Sequence, residues 1–100
     1  MDNVIEQWAS ASRYDIQTAK AMLETGRSLY VTFMCQQAVD KLSKAIFVLR
    51  KAELPPRTHN LLYFVDVLNF NLNEENKKVL AELNQFYLGS RYPGQMQQLA

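Results

Sequence analysis

The sequence contains few of the residues that mark disulfide-rich, metal-binding or fibrous proteins. It has one cysteine, three glycines and three prolines among 100 residues. The single cysteine, Cys35, excludes an intramolecular disulfide and a metal cage built from cysteines, and we expect no metal and no cofactor. The start of the chain lacks the basic and apolar stretches of a secretion signal, and no apolar run approaches the roughly 20 residues that cross a bilayer. We therefore expect a cytoplasmic protein.

The charged residues are balanced in number. There are 11 Lys and Arg and 10 Asp and Glu, which gives a formal net charge of +1. Proteins that coat nucleic acids non-specifically need clustered cations, because counterion release drives their binding. The charge balance argues against such a protein and leaves a local phosphate site open. With 48% hydrophobic and 21% charged residues, residues 1–100 have the composition of a single globular domain.

Apolar residues that recur at three- and four-residue steps predict two long helices in the first half of the chain. The first should run from a cap at Asp2 to Gly26, since glycine suits the left-handed residue after a helix. Ser28 is the expected cap of the second, about Leu29 to Glu53, which ends before Pro55. The predicted apolar stripe of this second helix comprises Tyr30, Phe33, Met34, Ala38, Leu42, Ala45, Ile46 and Leu49.

Two further helices are predicted in the second half. Thr58 is the expected cap of a short third helix, and residues 69–73 indicate a break. Asn73 is the expected cap of a fourth helix that Gly89 would end. Pro93 suits the first position of another helix, of which the sequence holds only the first turn. Because the connections are short, we expect an all-α, up-down antiparallel bundle of four helices with a truncated fifth.

Polar residues interrupt the apolar faces of the first two helices. Asp15 lies on the stripe between Ala11 and Ala19, and an ionised carboxylate that faces a core needs a partner. It is either a structural residue bonded to a Tyr or Arg, or a carboxylate that lines a site. Gln36 and Gln37 point about 100° apart, so at least one should approach the seam between helices. That amide would serve either a structural network or a ligand.

Basic residues and one histidine offer candidate ligand contacts. Gln37, Lys41 and Lys44 share a strip of the second helix. This strip either contacts a phosphate or forms a solvated face on which Asp40 is a local counter-charge. His59 is the only histidine. Histidine suits acid–base chemistry near neutral pH, but a lone histidine is more often a capping or packing residue.

The segment Arg91-Tyr92-Pro93 follows the fourth predicted helix. Pro93 biases Tyr92 towards extended backbone, so Arg91 should leave the end of the bundle at a defined bend. The planar guanidinium suits recognition of a phosphate or carboxylate. The alternative is a structural pair with Asp15 or with a helix C-terminus.

Taken in order, these segments resemble the HEPN family (higher eukaryotes and prokaryotes nucleotide-binding). The resemblance rests on residues 36–45 (QQAVDKLSKA), on residues 58–61 (THNL) after a proline turn, and on residues 91–93 (RYP). Trp8, with Ala11 and Asp15 on the first helix, also fits. The resemblance covers Trp8 to Pro93, and it implies a bundle of four or five helices, commonly a homodimer, with nucleotide or RNA binding.

The resemblance also implies possible partners and an activity. Many relatives accompany a minimal nucleotidyltransferase in toxin–antitoxin or defence systems. Some are ribonucleases with an Arg, four to six residues and then a His near the end of the bundle. Here the window after Arg91 contains no histidine, and Arg50 and Arg57 stand at the wrong distances from His59. Asn60 also stands where relatives often have Asp.

The sequence thus predicts a non-catalytic HEPN-type module that binds a nucleotide or RNA phosphate, a partner, or both. Its pocket would contain Gln37, Lys41, Lys44, His59, Arg91 and Tyr92, with Asp15 and Gln36 as structural polar residues. One alternative is a metal-independent ribonuclease toxin that uses His59 and Arg91. Another is a purely structural interaction bundle. Apolar residues outside the main stripe of the second helix, such as Val39 and Phe47, predict a homodimer.

Overall fold

A computed structural model describes the backbone of residues 1–90 and the side chains of residues 1–87. Within that range the chain forms four helices, α1 Asp2–Glu24, α2 Ser28–Lys51, α3 Leu61–Val67 and α4 Glu74–Ser90, and no strand. The predicted all-α bundle of four helices is therefore confirmed. The predicted start of a fifth helix at Pro93 lies outside the described residues. In the described range, no helix combines the length and apolar character that a membrane span requires.

The long helix α2 is central to the bundle. It packs along α1, to which three residues connect it, and it also contacts α3 and α4. The short α3 packs on α4. Since such a short connection returns the chain on itself, α1 and α2 form an antiparallel hairpin. The helix α2 therefore contacts each of the other three helices.

The turn between α1 and α2 confirms one prediction and corrects two. Gly26 adopts the left-handed conformation, with a φ of 75°. Asp2 and Ser28 were expected to cap their helices, but each is the first helical residue, and the preceding Met1 and Arg27 form no side-chain cap. A capping side chain must stand outside the helix to reach the free amides of the first turn. Residues already inside that turn cannot do so.

The residue that caps α3 lies two positions later than the predicted cap. The side chain of Asn60 accepts a hydrogen bond from the Leu62 amide at 3.1 Å and caps the helix. Thr58 accepts from the Asn60 amide at 3.2 Å. Thr58 thus closes the preceding turn, and the prediction that it caps α3 is wrong. Both side chains can bond the backbone two residues ahead, and the sequence does not say which of them precedes the helix.

The ends of α4 were predicted with mixed success. Asn73 accepts a hydrogen bond from the Asn76 amide at 2.7 Å, which confirms it as the cap. Gly89 was expected to end the helix, but α4 continues through it to Ser90. Glycine permits the left-handed conformation that ends a helix but does not impose it.

An aromatic cluster forms the apolar core where α2 meets α3. Phe47, Phe64 and Leu68 are buried, and the rings of Phe47 and Phe64 meet edge to face with centroids 6.3 Å apart. Ile46 and Phe70 pack against this cluster. The cluster anchors α3, which is too short to be stable by itself, and therefore holds the segment just before α3 against α2.

The buried face of α2 differs from the predicted apolar stripe. Leu42 and Leu49 are exposed, although they were expected in the core. Buried in α2 are the polar residues Gln36, Asp40 and Lys44. Asp40 and Lys44 can be buried because their opposite charges meet inside the bundle, a pairing that an apolar pattern cannot report.

Candidate functional site

Asp40 is the centre of the most distinctive polar arrangement in the protein. One of its oxygens, Oδ2, accepts a hydrogen bond from Lys44 Nζ at 3.1 Å. The same oxygen lies 2.9 Å from His59 Nδ1. Lys44 stands one turn further along α2, while His59 lies in the segment before α3. We refer to Asp40, Lys44 and His59 as the Asp40 cluster.

Burial differs sharply within the Asp40 cluster. The side chains of Asp40 and Lys44 are only 5% and 7% exposed, whereas that of His59 is 52% exposed. A buried carboxylate next to a buried ammonium is compensated in charge. His59 is therefore the member of the cluster whose functional group is exposed to solvent. The carboxylate and the ammonium beside it are buried in the bundle.

The contact with Asp40 determines how the imidazole is oriented. An ionised carboxylate can only accept hydrogen bonds, so the proton of His59 must be on Nδ1. Nε2 then accepts a hydrogen bond when the ring is neutral and donates one when the ring is protonated. A histidine oriented in this way can bind a phosphate or move a proton.

Aromatic rings flank the cluster at both ends. Lys44 Nζ lies 5.2 Å from the centroid of the Trp8 ring on α1, within the range of a cation–π contact. The ring of Tyr87 on α4 is tilted by 45° against that of His59, with centroids 5.2 Å apart. The arrangement consequently joins α1, α2, the segment before α3, and α4.

A second ion pair links α1 and α2 beside the Asp40 cluster. Lys41 Nζ lies 2.8 Å from Oδ2 of the buried Asp15. This oxygen has no aligned hydrogen-bond donor, so the contact is an ion pair without hydrogen-bond geometry. Asp15 was expected to need a partner, and its partner is a lysine rather than the Tyr or Arg that we considered.

Gln36 is the glutamine that lies in the seam between helices. It is among the most completely buried side chains described, whereas Gln37 is half-buried. Gln36 Nε2 and Asp40 Oδ1 are buried without a hydrogen-bond partner among the described residues. The prediction that at least one glutamine approaches the seam is confirmed. The Gln36 side chain lies in the protein interior and not in an open pocket.

The candidate pocket residues are distributed over more than one place. Lys44 and His59 meet at Asp40, while Lys41 pairs with Asp15. The solvated face considered as the alternative for the lysine strip is wrong for Lys44, which is buried because Asp40 and Trp8 surround its ammonium. The predicted contributions of Arg91 and Tyr92 lie outside the described residues.

Two residues next to His59 were not recognised as part of a site. Neither Tyr87 nor Asn84 was singled out from the sequence as a site residue. They lie three positions apart on α4, which places them on one face of the helix. This spacing was visible in the sequence, but only the tertiary structure brings that face against the segment before α3.

The described side chains offer no cluster of the residues that usually bind metal ions. Within the described part of the chain, His, Cys, Asp and Glu side chains form no group of three or more that could hold a metal ion. The site places an imidazole and a phenol ring beside the buried charges of Asp40 and Lys44.

The sequence was compared with protein families, curated proteins and solved structures. The model of one family, described as the HEPN domain, matches residues 5–98. No curated protein shows a significant match. No solved structure shows one either.

Proposed function

Since this chain belongs to the HEPN family of nucleotide- and RNA-related helical modules, we propose that it binds the phosphate of a nucleotide or RNA at the surface of the Asp40 cluster without cleaving it. The observation that supports this function is the half-exposed imidazole of His59 on the buried Asp40. With Nδ1 held by the carboxylate, Nε2 is the nitrogen of a protonated ring that remains to donate to an anion. The protonated ring then donates a charge-assisted hydrogen bond to the phosphate.

The surroundings of His59 supply what a nucleotide would need besides a hydrogen bond. Tyr87 offers a ring face beside the imidazole, and a base can stack on such a face. The buried charges of Asp40 and Lys44 cancel each other, so a protonated His59 adds a net positive charge. In this proposal Lys41 and Gln37 on α2 are further contacts, while the contribution predicted for Arg91 and Tyr92 lies outside the described residues.

A binding titration with variants of His59 tests this function. Fluorescence anisotropy with a labelled single-stranded RNA, and calorimetry with adenosine monophosphate, would measure affinity for the wild type and for His59→Ala. We expect the variant to bind about tenfold more weakly or worse, the range of a lost hydrogen bond to a charged group. Because the side chain is 52% exposed, the variant should fold normally.

The matched control removes a positive charge from another part of the surface. Lys78 is exposed on α4, and Lys78→Ala should reduce affinity only slightly and mainly at low salt. Equal affinity of wild type and His59→Ala would overturn the proposal. Equal losses in both variants would show non-specific electrostatic attraction and would also overturn it.

The same contact favours a second candidate function, a metal-independent ribonuclease. An imidazole that a carboxylate holds through Nδ1 is also the arrangement of a general base. Here His59 would accept the proton of the 2′-hydroxyl, whose oxygen would bond to phosphorus to give a cyclic phosphate, with Arg91 stabilising the phosphate. The bond from phosphorus to the 5′-oxygen would break, and the 5′-oxygen would take a proton from water. Incubation of RNA with wild type, His59→Ala and Asp40→Asn distinguishes the two functions. Cleavage that disappears in His59→Ala would replace the binding proposal by this one.

We also propose that the protein forms a homodimer through the exposed apolar face of α2 and α4. A groove of about 240 Å³ lies between these helices, and Leu42 and Val79 beside it are exposed. Exposed apolar surface of this kind is typical of interfaces. Light scattering at micromolar concentration should give a dimer for the wild type and a monomer for Leu42→Glu. A monomeric wild type would refute the proposal.

A macromolecular partner is the last part of the proposal. In the two-component arrangement common among the relatives, the partner would be a minimal nucleotidyltransferase. Co-expression with a nucleotidyltransferase encoded next to this chain should yield a stable complex on size exclusion. Separate elution of the two proteins would contradict this arrangement.

A further inference from the structure

The segment that bears His59 is held by an unusual series of side-chain acceptors. The backbone amides of Asn60, Leu61 and Leu62 each donate to a side-chain oxygen, at 3.2, 3.0 and 3.1 Å. The first and third acceptors, Thr58 and Asn60, belong to the segment itself. The middle acceptor is Asn84 Oδ1 on α4, so this one bond fastens the segment to another helix.

A second hydrogen bond from Asn84 makes the attachment rigid. Asn84 Nδ2 donates to Asn60 Oδ1 at 3.1 Å. The orientation of both amides is determined, because each oxygen already accepts from a backbone amide and the remaining contact must use a nitrogen of Asn84. Asn84 therefore binds the backbone of α3 and the residue that caps it at the same time.

The same face of α4 reaches the imidazole itself. Tyr87 lies one turn after Asn84 and contacts the ring of His59 at 5.2 Å. On its other side the ring meets Asp40 Oδ2 of α2 at 2.9 Å. The backbone next to His59 is thus fixed to α4, while its ring is fixed to α2.

We propose that Asn84 is a positioning residue that holds the imidazole of His59 on Asp40. It acts by binding the backbone amide of Leu61, two residues after His59, and the side chain of the neighbouring Asn60. Without it, the segment before α3 can shift by rotation about its own backbone, and Nδ1 loses its alignment with the carboxylate. The inference rests on the proposed function, in which the ring on Asp40 is the group that contacts the phosphate.

A measurement on the ligand-free protein tests this role directly. His59 is the single histidine, so a long-range proton–nitrogen spectrum of the untagged protein shows only its imidazole. Under mildly alkaline conditions, where histidine is neutral, the wild type should show the proton mainly on Nδ1. In Asn84→Ala the signals should move to the mixture of tautomers that free histidine has, and affinity for the labelled RNA should fall about five- to tenfold.

Two further variants separate positioning from general stability. Gln85→Ala changes the adjacent exposed residue of α4 and should leave both the tautomer and the affinity unchanged. Asn84→Asp keeps an acceptor for the Leu61 amide but loses the donor to Asn60, and it should give an intermediate tautomer mixture. This variant provides the test if Asn84→Ala does not fold.

The results distinguish this inference from the proposed function. A lower melting temperature with a wild-type tautomer in Asn84→Ala or Asn84→Asp would overturn the positioning role. A shift of the tautomer in these variants supports the role even if the wild type binds no RNA, because the spectrum requires no ligand. Absence of binding by the wild type would overturn the proposed function alone.

Discussion

We expect the buried ion pair between Asp40 and Lys44 to contribute to the free energy of unfolding by an amount that mutation can measure. The two side chains are 5% and 7% exposed and meet at 3.1 Å. Removing one partner leaves the other charge buried, which costs about 3–5 kcal/mol in buried pairs. Domains of this size unfold at a cost of about 5–15 kcal/mol. Each single variant should therefore lose a large share of the stability.

The two single variants should not be equivalent. In Lys44→Met the carboxylate keeps its contact with His59, so we expect the lower end of the range, about 3 kcal/mol. In Asp40→Leu the ammonium keeps the Trp8 ring, at 5.2 Å, as its partner among the described residues, and the loss should approach about 5 kcal/mol. The double variant leaves no unpaired charge at positions 40 and 44, and it should be more stable than Asp40→Leu alone.

Urea unfolding followed by circular dichroism measures these free energies. The four proteins form a double-mutant cycle, in which we expect a coupling energy of about 2 kcal/mol or more. The control is the exposed pair Glu74–Lys77, at 3.6 Å and with side chains 93% and 51% exposed, for which the coupling should be about 0.5 kcal/mol or less. Additive losses in the Asp40–Lys44 cycle would refute the reasoning.

Three smaller effects follow from local geometry. Ala52 has a φ of 54° at the C-terminus of α2, a conformation that glycine adopts more easily than alanine. Ala52→Gly should therefore raise the free energy of unfolding in urea by about 1 kcal/mol. Destabilisation would contradict this. Ser12→Ala removes a buried 2.7 Å hydrogen bond to the backbone of α2 and should cost about 1 kcal/mol by the same method, whereas unchanged stability would be contrary evidence. Hydrogen bonds from Ser10 and Arg13, together with the charge of Arg13, lower the pKa of Glu6. Because the folded pKa lies below the unfolded one, the ionised Glu6 stabilises the fold slightly above the unfolded pKa. This stabilisation is lost as the pH falls through the folded pKa. Ser10→Ala should raise the pKa of Glu6 in a titration followed by NMR, and an unchanged value would exclude this cause.

The helices could be predicted well, and their exact ends less well. Gly26 and Asn73 act as expected because each has a conformational or capping preference that is expressed locally. Thr58 and Gly89 were misassigned because whether a residue caps or ends a helix depends on the backbone conformation of its neighbours. Those neighbours are held in place by contacts with other helices, which a local pattern does not contain.

The candidate site was predicted in part. His59 and Lys44 were singled out, and they do meet, but at Asp40, which had been considered only as a surface counter-charge. Charge alone suggested an exposed lysine strip. The packing of α1 against α2 buries Lys44 instead, since Asp40 and the Trp8 ring compensate its ammonium there.

The sequence by itself determined the all-α class, the number of described helices and their approximate extents, because apolar spacing, prolines and capping residues act over one or two turns. It also contained the segments that resemble the HEPN family. Only the tertiary structure decided that Asp40 unites a lysine of its own helix with His59, that Asn84 on α4 accepts from the amide two residues after this histidine, and that Tyr87 contacts its ring. Such contacts join residues that are far apart in the chain, and their geometry depends on how the helices pack.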